Sequence, residues 1–339
     1  MRTHTLIAPL LQSFLADHLV CKRGLSLNTV RSYRDALRQL LLFAGGRLHC
    51  RCTQLAVEQL DVALILDFLD HLETERRNSP QTRNQRLASI RSFFHFVGVQ
   101  EIVLLDHCRK ITSIPFKRTS LTPTRYLERD EVETLLGQFK TDRKASRRHY
   151  ALLLFLYNTG ARAQEAVDLR VDNLELEQPY RARLHGKGDK WRVCPLWKST
   201  VLAIQASLAM RGNLQPNEHV FVNRRGRPLT RFGIYYVVRK YGENVKGSLP
   251  SLKPGHLSPH IIRHGTAVHL LESGVEVNVI REWLGHAHLE TTNRYAEINF
   301  RTKEKALQAC QIEDDSNEGS RKQPKWRTDE RLMKWLQSL

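Results

Sequence analysis

Residues 258–295 restrict the possible folds of this chain more than any other stretch of the sequence. Ser258 is suited to cap a helix, and Pro259 fits the first helical position. A second helix is predicted from Val277 to Leu284, and Gly285 is suited to close it. The stretch therefore predicts short helices with sharp ends, between which polar side chains can be held at fixed positions.

The polar side chains of this stretch suit phosphate chemistry. His260 and Arg263 are three residues apart, so we expect them to project from one face of the first helix. His286 follows Gly285 directly, and Tyr295 falls on one more short helix. Two imidazoles, a permanent cation and a phenol together supply charge for phosphate oxygens, a proton carrier and a hydroxyl nucleophile.

The charge of the chain points to a polyanionic partner. Its 339 residues include 53 Lys and Arg against 35 Asp and Glu, which gives a formal net charge of +18. Such an excess favours nucleic acid or an acidic membrane surface. No apolar run reaches the length of a membrane span and the N-terminus lacks a signal-peptide core, so nucleic acid is the better interpretation. A generally basic soluble protein is the alternative.

The six cysteines favour a reducing compartment. No CxxC pair occurs, and only Cys50 and Cys52 are close neighbours. A disulfide framework is untypical of a chain this large without a secretion signal. We therefore expect reduced structural thiols and a cytoplasmic protein.

The length of the chain favours two domains, and residues 115–125 are the predicted boundary between them. This segment is polar, basic and proline-bearing, which is typical of a linker. Residues 1–114 are then predicted to form a helical DNA-binding domain and residues 126–312 a second domain. Residues 313–339 are predicted to form a flexible tail that ends in a helix.

Hydrophobic spacing predicts helices throughout the first domain. Residues 5–44 hold two of them, joined by a link in which Asn28 or Thr29 is the expected cap. Two more helices are predicted from Val62 to Glu75 and from Thr82 to Val97.

The last of these helices carries three arginines opposite its apolar face: Arg83, Arg86 and Arg91. Basic faces on a helical unit fit a DNA-clasping domain, and we name these arginines as candidate DNA contacts. A generic helical bundle with solvated charges explains the same residues.

The second domain is predicted to be mainly helical with a small β-sheet. A helix is expected from Glu128 to Phe139, a strongly apolar one from His149 to Asn158, and another, with Arg162 and Glu165, after the break at Thr159-Gly160. The alternating segment RARLHGKGDKWRVCPL then predicts a β-hairpin whose turn contains Lys187. Further helices are expected near residues 200–211 and 232–241. The fold class is therefore α+β, dominated by helices.

The tail of the chain has two parts. Residues 313–327 have the composition of a disordered segment, whereas Thr328 to Leu339 is capped and amphipathic. A helix of this length is marginal by itself, so we expect it to dock. Docking onto a neighbouring subunit and folding back onto its own domain are both open.

Together, these residue types could catalyse the cleavage of a DNA phosphodiester. A tyrosine can attack a phosphodiester, and arginine has the best geometry for the charge on the phosphate oxygens. Each residue also has an ordinary explanation. Arg162 and Glu165 can form a surface ion pair, Lys187 can be a solvated turn residue, and His260 with His264 has the spacing of a helical metal pair, although no Glu or Cys completes such a site nearby.

Taken in order, the motifs resemble the tyrosine recombinase (phage integrase) family. The pattern TGxRxxE matches at Thr159-Gly160-Arg162-Glu165, and GKGxKxR matches at Gly186-Lys187-Gly188-Lys190-Arg192. HxxR matches at His260-Arg263, and LGH followed by tyrosine matches at Leu284-Gly285-His286 and Tyr295. The region around the tyrosine is most similar to integrases of transposons and other mobile elements.

The resemblance implies a function and a role for each residue. Tyr295 would attack the scissile phosphate and form a 3′-phosphotyrosyl link, and Arg162 and Arg263 would stabilise the transition state. Lys187 would protonate the leaving oxygen and His260 would assist proton transfer at Tyr295. The remaining two residues have supporting contacts: His286 would hydrogen-bond a phosphate oxygen and Glu165 would orient Arg162.

The resemblance also implies partners. It predicts double-stranded DNA with specific sites, a tetramer on DNA that resolves a Holliday junction, possible sister recombinases, no membrane, and a nucleoid-associated location in a prokaryote. It implies no cofactor and no metal, in line with the absence of a GxxxxGK[ST] motif. His264 departs from the small hydroxyl residue that many relatives carry after the arginine, which leaves the proton path open.

Two other functions fit parts of the pattern. A type IB topoisomerase uses a similar set of side chains, and a catalytically silent DNA-binding protein could retain the fold. The target sequence and the choice between integration and excision are not encoded in any motif.

Overall fold

The structure is a computed structural model. It describes residues 5–119, 124–139, 144–186, 188–252 and 256–285. The chain divides into two compact units, Met1–Thr122 and Pro123–Leu339, here called the first and second unit. The division falls inside the segment expected to be a linker.

The first unit is helical throughout its described part. The first helix, α1 (Ile7–Ser13), continues directly into a π-helical segment over Phe14–Lys22. The α-helices are α1 (Ile7–Ser13), α2 (Leu27–Arg47), α3 (Val62–Thr74), α4 (Pro80–Gln100) and α5 (Leu105–Thr112). Helix α5 was not predicted from the sequence.

Local capping explains where these helices begin. The side chains of Ser26, Asp61 and Ser79 each accept a hydrogen bond from a backbone N–H three residues later. The cap expected at Asn28 or Thr29 was therefore wrong, because Ser26 caps α2 and the helix has already begun at those positions.

The core of the first unit is apolar and rich in aromatic rings. Phe14 is fully buried and lies 5.4 Å, centroid to centroid, from both Phe93 and Phe96. Leucines of α2 and α3 complete the cluster. Because offset aromatic pairs add to the free energy of burial, this cluster fixes how the helices pack.

The second unit packs helices around a small antiparallel sheet of three strands in the order β1-β2-β3. The strands are β1 (Leu174–Glu175), β2 (Arg181–His185) and β3 (Trp191–Pro195). The helices before the sheet are α6 (Arg129–Gly137), α7 (Lys144–Thr159) and α8 (Ala163–Asp168). Those after it are α9 (Lys198–Leu208), α10 (Arg231–Asn244), α11 (Pro259–Glu272) and α12 (Val277–Leu284). The predicted fold class, mainly α with a small sheet, is confirmed.

The predicted hairpin is confirmed as β2 and β3, in which Leu184 pairs with Arg192 and His185 with Trp191. The alternation of side chains places Ala182, Leu184 and Cys194 on the buried face. Arg192 belongs to the same face, which makes it an inward-pointing charge.

The first two helices expected after residue 258 are also confirmed, whereas the third, which would carry Tyr295, lies outside the described residues. The Ser258 hydroxyl accepts a hydrogen bond from the Ile261 N–H, and Pro259 begins α11. Gly285 ends α12 in the left-handed conformation with a φ of 64°. The described part of the chain contains no helix that is both long and apolar enough to span a membrane.

One helix boundary differs from the prediction at a residue that matters. Arg162 was expected to lie within α8. It is instead the N-cap of that helix and has an extended backbone conformation. Gly160, two residues earlier, has a φ of +59°, and a Cβ there would lie 2.5 Å from Leu284 Cδ2. Glycine at this break therefore permits both the turn and the close approach of α12.

Candidate active site

A buried carboxylate organises the polar residues of the second unit. Glu165, in the first turn of α8, is only 3% exposed. Its Oε1 accepts from Nη1 of both Arg162 (2.7 Å) and Arg192 (2.8 Å). Its Oε2 accepts from the backbone N–H of Arg162 and from Nη2 of Arg192, both at 2.7 Å. This carboxylate thus receives four hydrogen bonds and is not part of a surface ion pair.

The pKa of Glu165 reflects two opposed effects. Burial raises the pKa of a carboxyl group, because the charged form loses its hydration. The hydrogen bonds and charge of Arg192, together with the contacts from Arg162, outweigh burial and lower the pKa to about 2. Glu165 is therefore ionised across the neutral pH range and serves as a fixed negative charge.

Arg162 is held from two sides. Besides Glu165, it donates from Nη2 to the carbonyl of Gly285 at 3.1 Å. Its side chain remains 29% exposed, and its Nε–H has no hydrogen-bond partner in the part of the chain that the structure describes. Both terminal nitrogens of the guanidinium are thus held, one by a carboxylate and the other by a main-chain carbonyl.

Arg263 of α11 approaches the same place from another direction. It is 3% exposed, and it donates from Nη1 to the carbonyl of Gly160 and from Nη2 to that of Leu284, both at 2.6 Å. It thereby links the break before α8 to the end of α12.

The carboxyl end of α12 is where these arginines meet. Three consecutive carbonyls, those of Trp283, Leu284 and Gly285, accept hydrogen bonds from Arg192, Arg263 and Arg162 respectively. The last carbonyls of a helix have no partner within the helix and carry a partial negative charge, so cations are favoured there. In the sequence, Gly285 is followed directly by His286, one of the predicted site residues.

His260 lies on the first turn of α11; its side chain is exposed as a whole, but its ring packs near Tyr235, with 6.4 Å between the ring centroids. Burial of its ring lowers its pKa, and the charges of Arg263, Arg162 and Arg231 lower it further. The imidazole is therefore neutral at physiological pH and can accept a proton or a hydrogen bond. His260 is thus close enough to Arg162 and Arg263, the two candidate active-site arginines, to be affected by their charge.

Three of the predicted site residues, Lys187, His286 and Tyr295, lie outside the described residues. The chain on either side of Lys187 is described. A Cβ on Gly186 would lie 3.3 Å from Glu165 Oε1, so the base of the hairpin turn adjoins the carboxylate. The structure thus brings together Arg162, Glu165, Arg263 and His260. Gly186 and Gly285, which precede Lys187 and His286 in the sequence, lie in the same place.

Arg192 belongs to this site although the sequence analysis gave it no role. It appeared there only as part of the GKGxKxR pattern. The signal that could have identified it is its place on the inward face of β3, since a buried arginine requires a partner.

The exposed face of α10 is a second feature that sequence reasoning missed. Phe232 is 83% exposed and Tyr236 is 69% exposed, and Arg239 and Lys240 continue the same face at helical spacing. Exposed aromatic rings among cations are unusual on a soluble surface and are typical of nucleic-acid contacts. Arg231, at the start of α10, is close enough to affect the pKa of His260.

The three candidate DNA contacts of the first unit occupy different environments on α4. Arg83 is 7% exposed, and its Nε lies 3.5 Å from the carboxylate of Glu73. This burial argues against the DNA contact predicted for Arg83. Arg86 is partly buried, and the guanidinium of Arg91 lies 4.8 Å from the centroid of the Phe116 ring.

A metal site was weighed for the histidines of α11. Among the described residues, no three His, Cys, Asp or Glu side chains are grouped so that they could hold a metal ion. The five cysteines in the described ranges are free thiols.

Comparison with protein families gives two matches that cover most of the chain. The profile of the phage integrase family matches residues 125–302, and that of the N-terminal SAM-like domain of phage integrases matches residues 11–100.

Curated relatives extend the similarity to the full length. An integrase/recombinase of Sinorhizobium fredii, y4rC, is 35% identical over 341 aligned residues that cover all of both chains. The tyrosine recombinase XerD of Halalkalibacterium halodurans is 34% identical over 85% of this chain and 92% of its own.

Solved structures share the fold. The XerH recombinase bound to a palindromic difH substrate has a TM-score of 0.66 at 23% identity and covers 86% of this chain and 82% of its own. The Tn1549 transposon integrase in complex with transposon right end DNA has a TM-score of 0.66 at 18% identity, with coverages of 88% and 98%.

Proposed function

The chain belongs to the phage integrase family of tyrosine recombinases, and from that premise we propose that it cuts and rejoins two DNA sites through a covalent 3′-phosphotyrosine. The observation that carries the proposal is the convergence of Arg162 and Arg263 on the adjacent carbonyls of Gly285 and Leu284. Two permanent cations from separate elements are thereby held at the end of α12, which suits a phosphate with two non-bridging oxygens.

The cleavage step is balanced without any further reactant. The phenolic oxygen of Tyr295 bonds to phosphorus, and the bond from phosphorus to the 5′-oxygen breaks. The phenolic proton passes to the neutral imidazole of His260, and the ammonium group of Lys187 protonates the leaving 5′-oxygen. Arg162 and Arg263 stabilise the charge on the non-bridging oxygens, and His286 donates a hydrogen bond to one of them.

Rejoining is the reverse of cleavage with a different strand. A 5′-hydroxyl from the partner duplex attacks the phosphotyrosine and displaces the phenolate, so the energy of the phosphodiester is conserved in the ester. Two rounds of exchange pass through a Holliday junction. We propose that four copies of the chain on two DNA sites carry out the exchange.

We propose that residues 1–114 clasp DNA and that residues 126–312 catalyse. The SAM-like profile over residues 11–100 supports the first assignment. In the first unit Arg86 and Arg91 are the retained contact candidates. In the second unit the exposed face of α10 is the contact surface that we add, because it carries exposed rings among cations and its helix begins at Arg231, whose charge acts on His260.

A role in moving a mobile element is the biological part of the proposal. It is supported by the full-length similarity to an integrase/recombinase, whereas the XerD relative covers 85% of this chain. Integration or excision of a DNA element is the corresponding reaction.

The test uses nicked duplexes that carry the genomic junctions flanking the gene of this protein. The nick lets a short fragment diffuse away after cleavage, so the covalent complex accumulates. A strand labelled at its 5′ end should then migrate with the protein in a denaturing gel, and the released fragment should have a free 5′-hydroxyl that a polynucleotide kinase can label directly.

The Tyr295→Phe variant separates chemistry from binding. It should lose the covalent complex and keep its affinity for the same duplex, since only one hydroxyl is removed. A covalent complex that persists in this variant would refute the assignment of Tyr295. Relaxation of supercoiled plasmids that lack the junctions would instead indicate a topoisomerase, and DNA binding with no complex by the wild-type protein would indicate an accessory protein.

A further inference from the structure

We propose that Arg192 is a positioning residue of the active site, which fixes the guanidinium of Arg162 by contacting both groups that hold it. The inference rests on the proposed function, because it concerns the cation that would meet the scissile phosphate. Arg192 would act through Arg162 rather than on the phosphate, because its Nε and both of its terminal nitrogens already donate to Trp283 and Glu165.

The first support of Arg162 is Glu165, and Arg192 controls it. Arg192 binds the carboxylate in the fork-to-fork geometry, with Nη1 on Oε1 and Nη2 on Oε2. Such a pair fixes the plane of the carboxylate as well as its distance. Because Oε1 also accepts from Arg162 Nη1, the orientation of that plane sets the direction of the Arg162 guanidinium.

The second support is the end of α12, and Arg192 contacts it too. Its Nε–H donates to the carbonyl of Trp283 at 2.8 Å, two residues before the Gly285 carbonyl that accepts from Arg162. A Cβ on Gly285 would lie 3.2 Å from Cδ of Arg192, so the side chain lies directly against this turn. Loss of Arg192 would therefore loosen both contacts of Arg162 at once.

A lysine at position 192 cannot make the same set of contacts. Arg192 uses three nitrogens in a fixed plane, whereas a lysine ammonium is a single point on a flexible stem. Arg192→Lys should keep the charge that Glu165 requires and lose the geometry, and Arg192→Gln should lose both.

The second unit offers a matched control in Arg211. This arginine donates to the carbonyls of His219 and Val220 and to the carboxylate of Glu218, so like Arg192 it joins main-chain carbonyl oxygen to a glutamate carboxylate. It makes no contact with Arg162, Glu165 or α12 among the described residues. Arg211→Gln reports what the loss of such a three-way link does to the stability of the unit alone.

The experiment measures the rate of covalent complex formation on the nicked junction duplex, DNA affinity and thermal unfolding for the wild type and the three variants. Each rate is measured on an ordinary phosphate and on a methylphosphonate at the scissile position. The methylphosphonate removes one non-bridging charge and hence much of the need for a precisely aimed arginine.

On the ordinary phosphate, Arg192→Gln should slow complex formation by about a hundredfold, as expected for a catalytic group displaced by about 1 Å, with DNA affinity within about threefold of wild type. The rate of complex formation by Arg192→Lys should fall between that of the wild type and that of Arg192→Gln. On the methylphosphonate the deficit of both variants should shrink by about tenfold. Arg211→Gln should lower the unfolding temperature without changing the ratio of the two rates.

Different failures have different meanings. Equal rates for Arg192→Gln and Arg211→Gln at temperatures where both are folded would overturn the inference and leave the proposed function intact. So would an Arg192→Gln deficit that persists on the methylphosphonate but disappears on a 5′-bridging phosphorothiolate, because that result assigns the effect to protonation of the leaving group. A wild-type protein that forms no covalent complex would refute the proposed function and this inference together.

Discussion

The two units bury different kinds of side chain. Among the described residues, the first unit buries two polar side chains, Arg83 and Ser89. The second buries nine: Glu131, Asn158, Thr159, Glu165, Thr200, Ser207, Arg263, Thr266 and His269. The first unit is thus held by non-directional apolar packing, whereas in the second many buried groups depend on one particular partner.

The two units differ in how the interactions that stabilise them relate to their candidate functional residues. A polar group buried without its partner is costly, so the buried polar groups of the second unit that are hydrogen-bonded, such as Glu165 and Arg263, constrain their partners. Around Glu165 this constraint fixes the positions of two arginines of the candidate active site. The first unit has no comparable network in its described part, and its candidate DNA contacts lie on the surface of its apolar core.

The largest expected effect is on the free energy of unfolding when Glu165 is neutralised. Glu165→Gln leaves Arg162 and Arg192 without their carboxylate and should destabilise the second unit by about 3–5 kcal/mol. Glu73→Gln is the matched change in the first unit and should cost about 1 kcal/mol, because its partner Lys117 is exposed and its buried partner Arg83 lies at the longer distance of 3.5 Å. Hydrogen exchange read by mass spectrometry reports both units separately. Tryptophan fluorescence follows the second alone, since all five tryptophans lie after residue 122.

Equal destabilisation by the two substitutions would remove the contrast between the units. A loss confined to the second unit in Glu165→Gln would sharpen it.

The next effect is a loss of stability on acidification. Burial, followed by the charge of Arg129, lowers the pKa of His269 to about 4, and its Nδ1 shares a hydrogen bond with the Tyr157 hydroxyl at 2.8 Å. An unfolded histidine has a pKa near 6.5, so the unfolded state binds the proton first. Stability is full above pH 6.5 and falls as the pH drops toward 4, by about 2 kcal/mol between pH 6.5 and 5 for this residue.

His149, whose pKa burial and the charge of Arg148 also lower to about 4, adds to the slope in the second unit. In the first unit burial lowers the pKa of His18, and the slope expected there is shallower. Denaturant unfolding at pH 7, 6 and 5 measures both slopes, and His269→Gln should flatten that of the second unit. Parallel slopes in the two units would contradict the comparison.

A third prediction concerns a segment outside the described residues. Deleting residues 328–339 should reduce complexes that pair two DNA sites by about tenfold, equivalent to about 1.4 kcal/mol, and leave binding to one site unchanged. Native gels with one-site and two-site DNA measure both quantities. Trp335→Ala should reproduce the deletion, whereas Lys334→Ala should not. Undiminished recombination by the truncated chain would show that this helix docks elsewhere or not at all.

The smallest effect separates two arginines of α4. Arg91→Gln should weaken DNA binding by about threefold and lower the slope of log K against log salt concentration by about one, as expected for one phosphate contact. Arg83→Gln should leave that slope unchanged and destabilise the first unit, because Arg83 is buried against Glu73. Filter binding across a salt series gives both slopes. A lowered slope for Arg83→Gln would restore it as a contact.

Features of the fold that depend on neighbouring residues could be predicted from the sequence. Ser258 with Pro259 begins a helix, Gly285 ends one, and the alternation around Gly186 forms a hairpin, because each depends on residues within one turn. Arg162 was placed inside α8 rather than at its cap because arginine is an unusual cap. The glutamate three residues later, which accepts from the Arg162 N–H, was the available indication.

The candidate site could be predicted only in part. Motif spacing identified Arg162, Glu165, His260 and Arg263 as a set, and the structure brings them together. It could not reveal that Arg192 joins Glu165 to Trp283, because those contacts span 27 and 91 residues of chain. No local pattern encodes which distant carbonyl a buried guanidinium will find.

The negative end of α12 has a consequence for how the arginines are prepared for chemistry. Its terminal carbonyls carry roughly half an elementary negative charge, which together with the full charge of Glu165 offsets part of the repulsion among three guanidinium groups. The conformational entropy of these long side chains is therefore lost when the protein folds rather than when it meets a substrate. A phosphate that binds here would therefore meet arginine side chains that are already ordered, and little further conformational entropy would be lost on binding.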